Sequence, residues 1–158
     1  MCDYSLHGIK NRLATEGEQL FIHRFPSGSK GLASKADFEA ARPGRLKRIA
    51  HFLLNPGENF LRGLPAICIP PGAKLRLSGI PQEIRKMFGV GEIEDVTFVQ
   101  LTAEPFRYRD AFRFANGREI LIQKLPEDLR VEVLALELAE PAAAAEEKLA
   151  ERRMSANV

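Results

Sequence analysis

The chain reads as a mainly β protein of the α+β class, a small antiparallel barrel or sandwich of about six to seven strands with two short helical insertions and a C-terminal helical tail. Three observations predict this. An Asn116-Gly117 pair stands between two apolar runs, a strong short-range hairpin signal. Runs of β-formers bounded by turn residues recur at 19–25, 66–69, 74–77, 95–101 and 131–136, and short turns join most of them. Helical patterning is confined to 34–55, 81–88 and 140–154.

The hairpin fixes its own register. A two-residue turn on Asn116-Gly117 would set Phe112 opposite Leu121 and Arg113 opposite Ile120, which mixes charge into both faces. A three-residue loop ending with Gly117 in the left-handed conformation pairs Phe112 with Ile120 and Arg113 with Glu119. The second arrangement separates the faces and adds an ion pair, so it is the one expected. It also places Tyr108 and Asp110 on the face of Phe112. A carboxylate pointing to the apolar side there needs a partner, most simply an arginine or a histidine.

From the start of the chain, Asn11 to Glu18 is polar with a turn at Gly17, and it delivers the chain into the strand Gln19–Phe25. Pro26-Ser27-Gly28-Ser29-Lys30-Gly31 reads as a surface loop; its glycines and lysine suggest an anion nest, but the spacing is not that of a phosphate-binding Walker loop. Ser34 is a candidate N-cap for a helix that Pro43-Gly44 interrupts. Arg45 to Leu54 resumes as a short basic amphipathic helix, with Leu46, Ile49, Ala50 and Leu53 on one stripe and Arg45, Lys47, Arg48 and His51 elsewhere. Pro70-Pro71-Gly72 then reads as a turn between paired strands at 66–69 and 74–77. Period-two logic sets Cys68 opposite Ile67 and Ile69, either in a second buried layer or accessible. Residues 81–88 form a helix opened by Pro81 and closed by Gly89, with Met87 and Phe88 as core candidates. Residues 1–138 are expected to form one β-rich domain. The alanine-rich, charged stretch 139–158 lacks an apolar stripe wide enough to dock stably and reads as a helical or disordered tail.

Composition narrows the function classes. At 158 residues, 45% hydrophobic and 28% charged, the chain supports an ordinary globular core, and its apolar runs are too short for a transmembrane helix. A formal net charge of +2 does not imply nucleic acid. No basic region followed by an apolar stretch opens the chain, so the cytoplasm is the expected address, and its two cysteines are expected to be free thiols or shared ligands.

The densest reactive chemistry is the opening Met1-Cys2-Asp3-Tyr4-Ser5-Leu6-His7. If Met1 is trimmed, Cys2 carries an amine beside its thiol, with pKa values near ~8 and ~8.5, and the two form a natural chelate. A transition metal held by thiolate and imidazole would draw on Cys2, His7, His23, His51 and Cys68. Alternatively, the Cys2 thiolate acts as a nucleophile with a histidine base that Asp110 or Asp3 orients. The histidines lack any tight ligand spacing, which makes the metal signal weak.

The opening Met1-Cys2-Asp3-Tyr4-Ser5-Leu6, the segment Ala66 to Leu77 and the closing Asp110 to Leu136 resemble a group of small uncharacterised proteobacterial proteins that begin the same way. The resemblance implies one compact domain and no particular chemistry. Some members carry a histidine pair immediately before the aspartate; here Tyr108 and Arg109 occupy those positions, which argues against a histidine-based metal site at this hairpin.

Two function classes follow. The favoured one is an accessory or partner-binding protein without a recognisable catalytic motif, with Tyr4 and the basic residues Arg45, Lys47 and Arg48 as candidate contacts to a protein, small-molecule or anionic partner. The other is the thiol class, in which Cys2, with histidine and Cys68, performs redox, metal-binding or nucleophilic chemistry. Cys2 and Tyr4 also admit a structural reading, as an N-terminal strand that pins the chain to the sheet.

Overall fold

The structure, a computed structural model, describes residues 6, 8–41, 63–102, 104 and 107–136. The basic helix with Arg45, Lys47, Arg48 and His51, the tail from residue 139, and Cys2, Tyr4 and His7 lie outside the described residues.

Among the described residues, nine strands and two α-helices follow one another as β1 (Asn11–Leu13), β2 (Gln19–Arg24), β3 (Lys30–Ser34), α1 (Lys35–Ala41), β4 (Ala66–Cys68), β5 (Lys74–Ser78), α2 (Gln82–Phe88), β6 (Ile93–Gln100), β7 (Asp110–Phe114), β8 (Glu119–Leu121) and β9 (Arg130–Ala135). Seven of the strands form one antiparallel sheet in the order β3-β2-β9-β5-β6-β7-β8. The sheet curls, so that the 3₁₀ turn Ile122–Lys124 after β8 packs against β3 at the opposite edge. β1 and β4 form a separate parallel pair, and β4 packs beside β3. The mainly β expectation therefore holds, as a strongly curled sheet with two helices outside it.

The curl encloses the core. Alternation along the strands turns Leu20 and Ile22 of β2, Leu75 and Leu77 of β5, Val96 and Phe98 of β6, and Val131 and Val133 of β9 inward, where they pack into one buried cluster. A smaller cluster of Leu6, Phe25, Ala33 and Ala66 lies between the sheet and the β1–β4 pair. The hairpin takes the expected register: Phe112 pairs with Ile120 and Arg113 with Glu119, whose side chains bond at 2.8 Å, and Gly117 sits at φ +83°. α2 ends at Gly89, left-handed at φ +65°, whose N–H donates to the carbonyl of Arg85.

Several expectations are corrected. β4 does not pair with β5 across Pro70-Pro71-Gly72; it runs parallel to β1, and β5 pairs with β6 and β9 instead. Local turn chemistry marks the reversal but does not choose the partner. Residues 30–34, read as a loop end and a helix start, form β3, and residues 11–13, read as polar connector, form β1. Both segments lack the β-branched and aromatic residues that signal strands, and tertiary pairing overrides that weak propensity. Met87 is not core: it is 69% exposed, because α2 turns Ile84 and Phe88 toward the sheet and Met87 away from it. β7 begins at Asp110, which leaves Tyr108 exposed ahead of it and not on the apolar face. Among the described residues, no helix is long and apolar enough to cross a membrane.

Candidate functional site

β4 sets Cys68 beside the sheet. The strand is buried along its whole length, so Ile67, Cys68 and Ile69 are all shielded from water, and of the two alternatives for Cys68 the buried layer is the one found. Cys68 is 7% exposed and disulfide-bonded. This corrects the expectation of free thiols. The chain holds one other cysteine, Cys2.

The crevice around Cys68 gathers residues from distant parts of the chain. Leu6, Gly31 and Leu32 form one side, Ile67 and Ile69 flank the sulfur, and Phe98, Asp110 and Ile122 complete the wall. Its free space is about 10 Å³, roughly what a single water molecule needs. Among the described residues, Asp110 is the ionisable group that lines this space with Cys68. It is half-buried at the start of β7, its backbone pairs with Gln100 on β6, and Gln100 Nε2 donates to Asp110 Oδ1 at 3.0 Å. The sheet thus brings together the sulfur and the carboxylate that the sequence singles out separately.

Close packing keeps the crevice narrow. Gly31 is required for it, since a Cβ there would lie 2.8 Å from Leu6 Cδ1 and 3.2 Å from Phe25 Cε2. Leu6 is 5% exposed and packs with Phe25, Ala33 and Ala66. A residue near the beginning of the chain is therefore seated where β3 and β4 meet.

His23 lies elsewhere. It sits on β2 with its ring edge-on to Phe21 and Phe25, at centroid distances of 5.8 and 5.0 Å, and it does not line the crevice. Burial lowers its pKa, and the carboxylates of Glu127 and Asp128 only partly oppose that, so the ring is neutral at pH 7. Among the described residues there is no group of three or more His, Cys, Asp or Glu side chains placed to hold a metal.

A second concave surface, about 450 Å³ and open to solvent, lies between the β1–β2 turn and α1 and is lined by Thr15, Glu16, Glu18, Ser34, Lys35 and Glu39. Glu18, on this surface, is held by neighbours within the fold. Arg12 Nε and Nη2 donate to Asp37 Oδ2 at 3.0 and 2.8 Å, Arg12 also pairs with Glu18, and the Thr15 N–H donates to Glu18 at 3.0 Å. Burial pushes the Glu18 carboxyl up, but the hydrogen bonds from Arg12 and Thr15 and the Arg12 charge outweigh it and hold the pKa down at about 2. Nothing in the sequence marked this trio, because its members are joined only by the fold.

Comparison with protein-family models, with curated proteins and with solved structures gives no match. The class of protein rests on the curled sheet and its sulfur crevice.

Proposed function

We propose that the protein is a redox-responsive accessory module, in which a reversible disulfide between Cys2 and Cys68 occupies the place where an enzyme would hold a substrate pocket. One observation carries the reading: Cys68 is disulfide-bonded in a crevice with room for about one water. A typical small-molecule site is at least an order of magnitude larger, so the crevice accepts no substrate. Reaction of the sulfur itself is the chemistry left to it.

The accessory class is kept because the second concave surface is open to solvent and its Glu18 is held in an ion pair with Arg12. Metal binding through Cys2, His7, His23, His51 and Cys68 belongs to the reduced form under this reading, since a disulfide sulfur offers no thiolate. At the cytoplasmic address expected from the sequence, the reduction potential decides whether the bond is a switch or a brace.

Intact mass after alkylation under native conditions tests the proposal. Two thiols should become alkylatable after treatment with a dithiol at neutral pH, with the fold retained, and reoxidation should restore the bond. A midpoint potential above about −300 mV supports a switch. Reduction that requires unfolding, or two free thiols before any treatment, overturns it.

A further inference from the structure

We propose that the Cys68 disulfide is the clasp of a strap, whose reduction frees Leu6 and residues 8–10 from the sheet while Arg12 keeps the rest of β1 in place. The inference rests on the reversible disulfide proposed above. Cys68 is disulfide-bonded on β4, and the chain's other cysteine, Cys2, stands shortly before Leu6 in the sequence, so the bond ties the leading end of this segment to β4. The segment's own anchor is small. Leu6 packs with Phe25, Ala33 and Ala66 in a cluster separate from the main core, with Ile9 at its margin, and the Ala66 N–H donates to the Lys10 carbonyl at 2.8 Å. β1 and β4 share three residue pairs, and so short a two-stranded ladder is at best marginal by itself. A cross-link holds such a segment down by removing chain entropy from its open state.

Past Lys10 the attachment changes in kind. Arg12 reaches Asp37 on α1 through two hydrogen bonds, at 3.0 and 2.8 Å, and also pairs with Glu18, while Ala14 is buried in the main core and its N–H donates to the Cys68 carbonyl at 3.0 Å. None of these contacts needs the disulfide, so opening stops at Arg12. A dithiol drives the step: its two thiols close into a disulfide as the Cys68 bond breaks, and two electrons and two protons pass to the protein's two sulfurs. The opened strap bares the apolar seat made by Phe25, Ala33 and Ala66 and leaves the Ala66 N–H to water.

The test is residue-resolved hydrogen exchange of the full chain at neutral pH, before and after dithiothreitol, with alkylation reporting the state of the sulfurs. Reduction should lower protection at Ile9 and Ala66 at least about tenfold and leave Ala14, together with Phe98 of the main sheet, within about threefold. In reduced Arg12→Gln the loss should extend to Ala14. Equal protection at Ile9 and Ala66 in both states, with two thiols alkylated, overturns the strap and leaves the functional proposal standing. A loss at Ala14 as large as that at Ile9 in the unaltered protein overturns the stop at Arg12. A bond that is absent, or that yields only with loss of protection at Phe98, brings down the functional proposal and the strap with it.

Discussion

The side-chain amide of Gln123 pairs with the backbone of Lys30 as a neighbouring strand would. The Lys30 N–H donates to Gln123 Oε1 at 2.9 Å, and Gln123 Nε2 donates to the Lys30 carbonyl at 2.7 Å. Lys30 Nζ adds a third bond across the same seam, to the carbonyl of Leu125 at 2.6 Å. A sheet that ends on an unpaired strand exposes a row of backbone donors and acceptors, and these contacts close that edge at the start of β3.

Gln123→Leu should therefore destabilise the protein by about 1–3 kcal/mol, because it strands a half-buried donor and acceptor together. Gln123→Glu keeps the acceptor for the Lys30 N–H and loses only the donor, so it should cost less. Urea unfolding of both variants checks the ranking. A Gln123→Leu change within about 0.5 kcal/mol of the unaltered protein would show that the seam contributes nothing measurable.

Gly31 governs how closely the chain's beginning seats on the sheet. Gly31→Ala places a methyl 2.8 Å from Leu6 Cδ1, and Gly31→Val adds bulk toward Phe25. The alanine should cost about 1–3 kcal/mol through overpacking, and the valine more. Thermal unfolding reads the loss. Hydrogen exchange should also report weaker protection at Ile9, whose N–H donates to the carbonyl of Leu6. Unchanged protection there would mean that Leu6 is not held by this contact.

The Arg12 cluster sets the acid limit. Glu18 has its folded pKa depressed to about 2, from an ordinary value of 4.5. The unfolded state thus binds the proton more readily, and the stabilisation is complete above pH 4.5 and is lost as pH falls toward 2. Arg12 is about a third exposed, which screens the pair, so the contribution is on the order of 1–2 kcal/mol. Glu18→Gln should remove this part of the acid dependence. An unaltered slope of stability against pH between 4.5 and 2 would contradict it.

His23 acts at milder pH. Its folded pKa lies below the ordinary 6.5, first because it is buried, so protonation favours the unfolded chain. Stability should be full above pH 6.5 and decline as pH falls below it, in a window separate from that of Glu18. His23→Phe keeps a ring beside Phe21 and Phe25 and should abolish this decline. Guanidinium melts at pH 7.5 and 5.5 suffice, and an equal drop in both proteins would assign the effect to other groups.

The hairpin was legible because its signals are local. Asn116-Gly117 marks the reversal, and only one register sets Arg113 beside Glu119 while keeping Phe112 inward. The end of α2 at Gly89 was readable for the same reason. β3 was not, since Gly31, Leu32, Ala33 and Ser34 carry no β-branched or aromatic side chain, and their strand conformation comes from pairing with β2. Of the candidate site residues, Cys68 and Asp110 proved to share a crevice, whereas His23 lies apart from it among aromatic rings.

By itself the sequence determined what is decided within a few residues: the alternation that makes strands, the glycines that end a helix and turn a hairpin, and the two cysteines available for sulfur chemistry. The tertiary structure alone decided which strands became neighbours, that β4 lies parallel to β1, and that a sulfur on β4 shares one water-sized space with a carboxylate on β7. The physical reason is that pairings between distant segments are chosen by how the whole sheet buries its apolar faces, and no short stretch of chain carries that information.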